Sequence, residues 1–262
     1  MKKIFNIISA FALIGGVSSA NAALFDRGNG LIYDNVLDIT WLQTPTLAAT
    51  NTFGVSGINN GTTDLDENGH PYAAGTMTWN KGFEWIAAMN AANYKGFSNW
   101  RMPKAGPVNG VSLNYTISYD GSTDRGFNNE HTTNELSHLF YATLGNIGQC
   151  STANATGSDP DTCIKNEYGK WGLQKTGPFV DFTVGRYFTS AHDTRPDEER
   201  AFDLESDGRI GTGATQGPKF VWAVISGDVA RLTAVPVPAA AWLLGSGIFG
   251  LAAVARRKKT IV

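Results

Sequence analysis

The sequence predicts an α+β fold, a single domain with a mixed sheet, two helices and long loops. Two segments carry the apolar spacing of packed helices, five have strand composition, and most of the strand-like ones gather in the second half. Roughly 210 residues lie between the two chain ends, which suits one domain. A composition of 42% hydrophobic and 11% aromatic residues supplies a core.

Near the start, GLIYD at 30–34 and DITWL at 38–42 read as a small hairpin through Asn35. NKGFEWIAAMNAAN at 80–93 predicts a helix with Phe83, Ile86, Ala87 and Asn90 near one face, flanked by Trp85 and Met89. TTNELSHLFYATLG at 132–145 predicts a second. Thr132 and Glu135 would form a capping box, Leu136, Leu139, Phe140 and Leu144 the apolar stripe, and Gly145 the stop. RYFTS at 186–190, ERAFDLE at 199–205 and KFVWAVISG at 219–227 read as strands, with Ser206-Asp207-Gly208 as a hairpin turn. Polar stretches at 44–76, 104–130 and 146–169 interrupt this order, and loops of such length are commonly functional or mobile.

Both ends of the chain point to export. Lys2 and Lys3, the apolar run from Ile4 to Val17, and Ala20-Asn21-Ala22 have the three-part order of a secretory leader, which signal peptidase would cut before Ala23. No cysteine lies near this site, which argues against a lipid-anchored lipoprotein. At the other end, 239–255 is an uncharged apolar run that as a helix reaches about 25 Å, against a hydrocarbon core of about 30 Å. Arg256, Arg257, Lys258 and Lys259 follow it and would stay cytoplasmic. The expected division is therefore a leader at 1–22, a domain at 23–233, and a tail at 234–262 that anchors transiently in the inner membrane.

Without the basic residues of the two ends, 15 Lys and Arg stand against 23 Asp and Glu, a net charge of −8. That balance argues against nucleic acid and other polyanions as partners. Cys150 and Cys163, the only cysteines, read as a disulfide in an oxidising compartment, and closing a loop of that size contributes roughly 3 kcal/mol.

Candidate chemistry is sparse. DLDENG at 64–69 matches the first part of a calcium loop, with Asp64, Asp66 and Asn68 as ligands, but Gly75 stands where the bidentate Glu belongs. A solvated acidic turn is the competing reading, and calcium is the one cofactor to consider. DLESDG at 203–208 has the same rhythm inside a hairpin pattern. His131, Glu135 and His138 could share a helix face, although a plain surface role is favoured; His192 and Asp193 could form an imidazole–carboxylate pair in a polar loop. No nucleophile elbow, HExxH, P-loop or dinucleotide motif occurs, so nothing argues for an enzyme. Trp79, Trp85, Trp100, Trp171 and Trp222 are each core or sugar-stacking candidates, with core favoured.

GLIYDNVLDITWL, WIAAMNAANYKGFSNWRMP, NELSHLF, YFTS, AFDLESDGRIG and VWAVISGD, in that order across 28–229, resemble the Lcl C-terminal domain family. NWRMP at 99–103 resembles that family's WRLP element. The resemblance implies a C-type-lectin-like fold and a surface or secreted role, some members being glycan-binding adhesins. It carries over no catalytic residue, and the EPN or QPD and WND motifs of calcium-dependent lectins are absent. Val235-Pro236-Val237-Pro238 with the apolar run and basic end resembles a PEP-CTERM sorting signal, with Pro-x-Pro for Pro-Glu-Pro. That implies processing by an exosortase in a bacterium that makes exopolysaccharide. The expectation is a non-catalytic surface or extracellular matrix protein that binds exopolysaccharide or a neighbouring surface protein. A self-associating matrix component and a surface glycan hydrolase are the alternatives.

Overall fold

The structure, a computed structural model, describes residues 23–65, 68–153, 162–192 and 200–232. Ala20 and Ala22 of the leader, and in the tail Val235, Pro236, Val237, Pro238, the run 239–255, Arg256 and Arg257, lie outside these residues. Among the described residues no helix is long and apolar enough to cross a membrane. Along the chain run β1 (Leu24–Asp26), β2 (Leu31–Asp34), β3 (Ile39–Leu42), α1 (Trp79–Ala91), β4 (Ile117–Ser118), β5 (Arg125–Gly126) and α2 (Glu135–His138). Then follow β6 (Arg186–His192), β7 (Arg200–Glu205), β8 (Ile210–Ala214), β9 (Phe220–Val221), β10 (Val224–Ser226) and α3 (Val229–Leu232).

The expected α+β class is present, with its strands in two sheets. One is antiparallel in the order β1-β2-β3-β10; the other is mixed, in the order β4-β5-β8-β7-β6-β9. The hairpin expected around Asn35 is β2–β3, with Leu31 opposite Leu42 and Asp34 opposite Ile39. Asp34 Oδ1 accepts the backbone N–H groups of Val36 and Leu37, which closes the turn.

KFVWAVISG is not the single strand its composition suggests. β9 pairs with β6 in one sheet and β10 with β3 in the other, while Trp222 and Ala223 make the crossing. Every residue from Phe220 to Ile225 is buried, so no alternation marked the break. Trp222 donates its indole N–H to Leu42 O at 2.7 Å and packs among Trp41, Phe179, Phe182 and Tyr187. This aromatic hub joins both sheets and the helices in one apolar core, as expected of one domain.

α1 starts where Thr78 accepts the Lys81 N–H. Its buried face is Gly82, Trp85, Ile86 and Met89; Phe83, expected inside, is 40% exposed and meets Trp79 edge-on. Gly82 causes the offset. A Cβ there would lie 2.6 Å from Met102 Cε and 2.7 Å from Val221 Cγ2, so the bare backbone faces the core.

α2 corrects the capping box. Asn134, not Thr132, caps the helix by accepting Ser137 N–H, and the chain continues from Leu139 as a wider π turn to Thr143. Leu136, Leu139, Phe140 and Leu144 are buried as the stripe predicts, and Gly145 has the left-handed backbone of a helix stop. Glu135 is engaged by Arg101 instead: both carboxylate oxygens take guanidinium N–H groups at 2.7 Å, and one also accepts Lys104 N–H. NWRMP is thus a structural tie. Trp100 exchanges two hydrogen bonds with the Asn90 side chain of α1, Arg101 pairs with Val224 of β10, and Pro103 O accepts Ser190 N–H of β6.

The long stretches are held locally. Asp124 accepts Val108 and Asn114 N–H, and Asn59 bonds both the backbone and the side chain of Thr76. The Cys150–Cys163 disulfide is formed, and its sulfurs pack with Tyr119 and Phe127 in a second small core. The arm around it is pinned to the β7–β8 turn, where Gln149 N–H meets Asp207 O and Leu173 N–H meets Ser206 O.

Candidate functional site

Adjacent strands place paired residues on the same face of a sheet. Asp203 of β7 lies opposite Gly211 of β8 and Phe188 of β6, while Arg186 lies opposite Glu205. That face carries charged side chains on β6 and β7 and bare glycines on β8. The glycines make room for those side chains: a Cβ on Gly211 would lie 2.7 Å from Glu205 Oε1, and one on Gly213 would lie 2.6 Å from Lys219 Nζ.

The result is a cleft of about 320 Å³ over β8, walled by Ile117 and Arg125 from the short β4–β5 pair and by Arg186, Glu205 and Arg209. Glu205 is the internal anion. Arg209 holds it through Nε and NH2 at 2.9 and 2.8 Å, and Arg186 NH2 reaches it at 2.8 Å. Beneath lies Asp203, fully buried, with Arg186 Nε 2.8 Å from Oδ2 and Lys219 Nζ 3.9 Å away. The Arg186 contact is an ion pair by distance but is not aligned as a hydrogen bond. Burial pushes the Asp203 carboxyl up to about 6, against the pull of Arg186 and Lys219. Lys219 also sits over the Phe188 ring at 4.3 Å and donates to Ala214 O.

This lining can hold an anionic or hydroxyl-bearing ligand by charge-assisted hydrogen bonds. No family model, curated protein or solved structure matches the chain. The geometry of the cleft therefore stands on its own residues.

The residues singled out from sequence fall elsewhere. Asp64 and Asn68 are exposed in a loop closed by a Leu65–Pro71 bridge, and Asp66 lies outside the described residues. Among the described residues no group of three or more His, Cys, Asp or Glu side chains could hold a metal ion. His131 is exposed, but Glu135 and His138 are buried, which corrects the surface reading. Glu135 is committed to Arg101, and His138 donates from Nδ1 to Glu130 O at 2.6 Å. His192 ends β6 rather than lying in a loop, with its ring 5.3 Å from that of Trp79; Asp193 is outside the described residues. Asp203, noted only in the DLESDG run, is an ion-pair partner. Of the tryptophans, Trp85, Trp100 and Trp222 are core, while Trp79 and Trp171 are half-buried.

Sequence reading missed Arg125, Arg186 and Arg209, which the fold assembles from separate strands and a turn. One local signal existed: Asp203 of the D-x-E run faces Gly211 of the G-x-G run across a hairpin turn. Glycines in a strand opposite charged residues mark close approach.

Proposed function

We propose that the chain is an exported, exosortase-sorted protein of the cell surface or biofilm matrix whose 23–233 domain binds extracellular polysaccharide without chemically changing it. The observation that carries the binding part is the polar, glycine-floored cleft over β8, walled by arginines on strands held from behind by the aromatic core. Rigid strands hold donors in place, as a binding site needs. The disulfide is consistent with an oxidising compartment. The leader pattern, the Pro-x-Pro junction and the apolar and basic tail support export and sorting. Membership of the Lcl C-terminal domain family, with its C-type-lectin-like fold, is part of the same reading. The role of NWRMP in tying α1, β10, β6 and α2 together supports its use as a structural signature.

The test is a panel of immobilised neutral and acidic polysaccharides probed with the full chain in detergent. Retention on discrete members, with no new reducing ends after prolonged incubation, is the expected result. Absence of retention on every member removes the binding reading. Release of shortened chains removes the non-catalytic one.

A further inference from the structure

We propose that the cleft over β8 takes a sugar ring bearing a carboxylate, so that the polysaccharide recognised is one containing uronic acid. This rests on the polysaccharide-binding reading and specifies its ligand.

Three guanidiniums, those of Arg125, Arg186 and Arg209, line the cleft with the carboxylate of Glu205, and beneath them Asp203 is offset by Lys219, so the site keeps an excess of positive charge. The net charge of −8 on the exported part argues against a long polyanion lying along the surface, but the cleft is a local exception. It suits one negative charge at a time. Glu205 already displays the recognition geometry, with both of its oxygens held by Arg209 and one shared with Arg186. Planar guanidinium forks match carboxylate oxygens in this bidentate way. A ligand carboxylate entering from the open side would meet the outer face of the same pair and Arg125, whose NH1 is steadied by Tyr115 O at 3.1 Å.

The glycines add the shape. With no side chain at Gly211 and Gly213, the Glu205, Asp203 and Lys219 side chains settle close against the strand, which leaves the cleft beside Ile117 and Ala214 open for a ring whose charged substituent reaches the arginines. The cleft volume of about 320 Å³ is at the small end of ligand sites, suited to a sugar unit within a chain rather than to a large cofactor.

The experiment measures binding of the full chain in detergent to polyglucuronate, to the same polymer with its carboxyl groups reduced to alcohols, to neutral dextran, to dextran sulfate and to polyglutamate. Polyglucuronate should bind at least about tenfold more tightly than each of the other four, the scale of one lost charge-assisted contact. Arg125→Gln and Arg209→Lys should each weaken polyglucuronate binding by about tenfold, measured on variant protein that still melts in one cooperative transition; the lysine keeps the charge but loses the fork. Equal binding to the reduced polymer overturns the uronate assignment while leaving the polysaccharide reading intact. A preference for dextran sulfate or polyglutamate also overturns it. No binding to any polysaccharide overturns both. The carboxyl-reduction comparison needs no variant and decides the matter even where a substitution unfolds the protein.

Discussion

Two buried carboxylates show how differently a charge can be held in this fold. Glu135 accepts three hydrogen bonds, two from Arg101 and one from Lys104 N–H. Removing its partner would strand a nearly buried charge, so Arg101→Met should cost about 3 kcal/mol in urea denaturation. Asp203 has no aligned hydrogen bond to either oxygen among the described residues, and its carboxyl is pushed up to about 6 by burial. Its ordinary value is 3.8, so the folded state favours the protonated form. The stability this group contributes is full below about pH 4 and is lost as pH rises through about 6, a swing on the order of 3 kcal/mol. Asp203→Asn should remove that slope. Melting temperatures at pH 4.5 and 7.5 check it: the difference between wild type and variant must change with pH, and a constant offset would refute the assignment.

Elements here meet by close approach at small residues. At Gly82, alanine would gain up to about 1 kcal/mol of helix propensity. Its Cβ would strike Val221 Cγ2, on a β-branched side chain with little freedom to move away. Overpacking of this kind costs about 1–3 kcal/mol, so Gly82→Ala should be destabilising by urea denaturation. The disulfide arm is the second case. Replacing both Cys150 and Cys163 with serine should lower stability by about 2–4 kcal/mol. Hydrogen exchange should then rise first at 146–153 and 162–172, because the small Tyr119–Phe127 core depends on the bridge while β2 and β3 do not. The same features explain what the sequence could and could not reveal. The β2–β3 and β7–β8 hairpins were legible because their turn residues sit between short apolar runs. The face of α1 was misjudged because a glycine, which carries no hydrophobic signal, occupies its core side. The split of the KFVWAVISG segment between two sheets left no periodic trace, since both faces are covered from Phe220 to Ile225. The cleft arginines come from β5, β6 and the turn before β8, and only the strand order β5-β8-β7-β6 brings them together.

At the scale of the molecule, the distribution of charge links the cleft to the proposed place of work. An acidic domain with an arginine-lined recess can pick out an anionic substituent of its ligand, and its disulfide is consistent with an oxidising compartment. The proposed export and trimming is the prediction that joins these features. At the other end of the described chain, Ala23 N–H donates to Asn35 Oδ1 and its carbonyl accepts Asn35 N–H. A chain cut before Ala23 would keep both contacts, because the new amino group still has a proton to give. Mass spectrometry of the protein recovered from the cell surface and medium should therefore find a chain that starts at Ala23. It should lack the apolar and basic tail beyond the Pro-x-Pro junction and the two thiol hydrogens. Recovery of the full 262 residues with reduced cysteines from the cytosol would contradict the exported reading and, with it, the polysaccharide ligand.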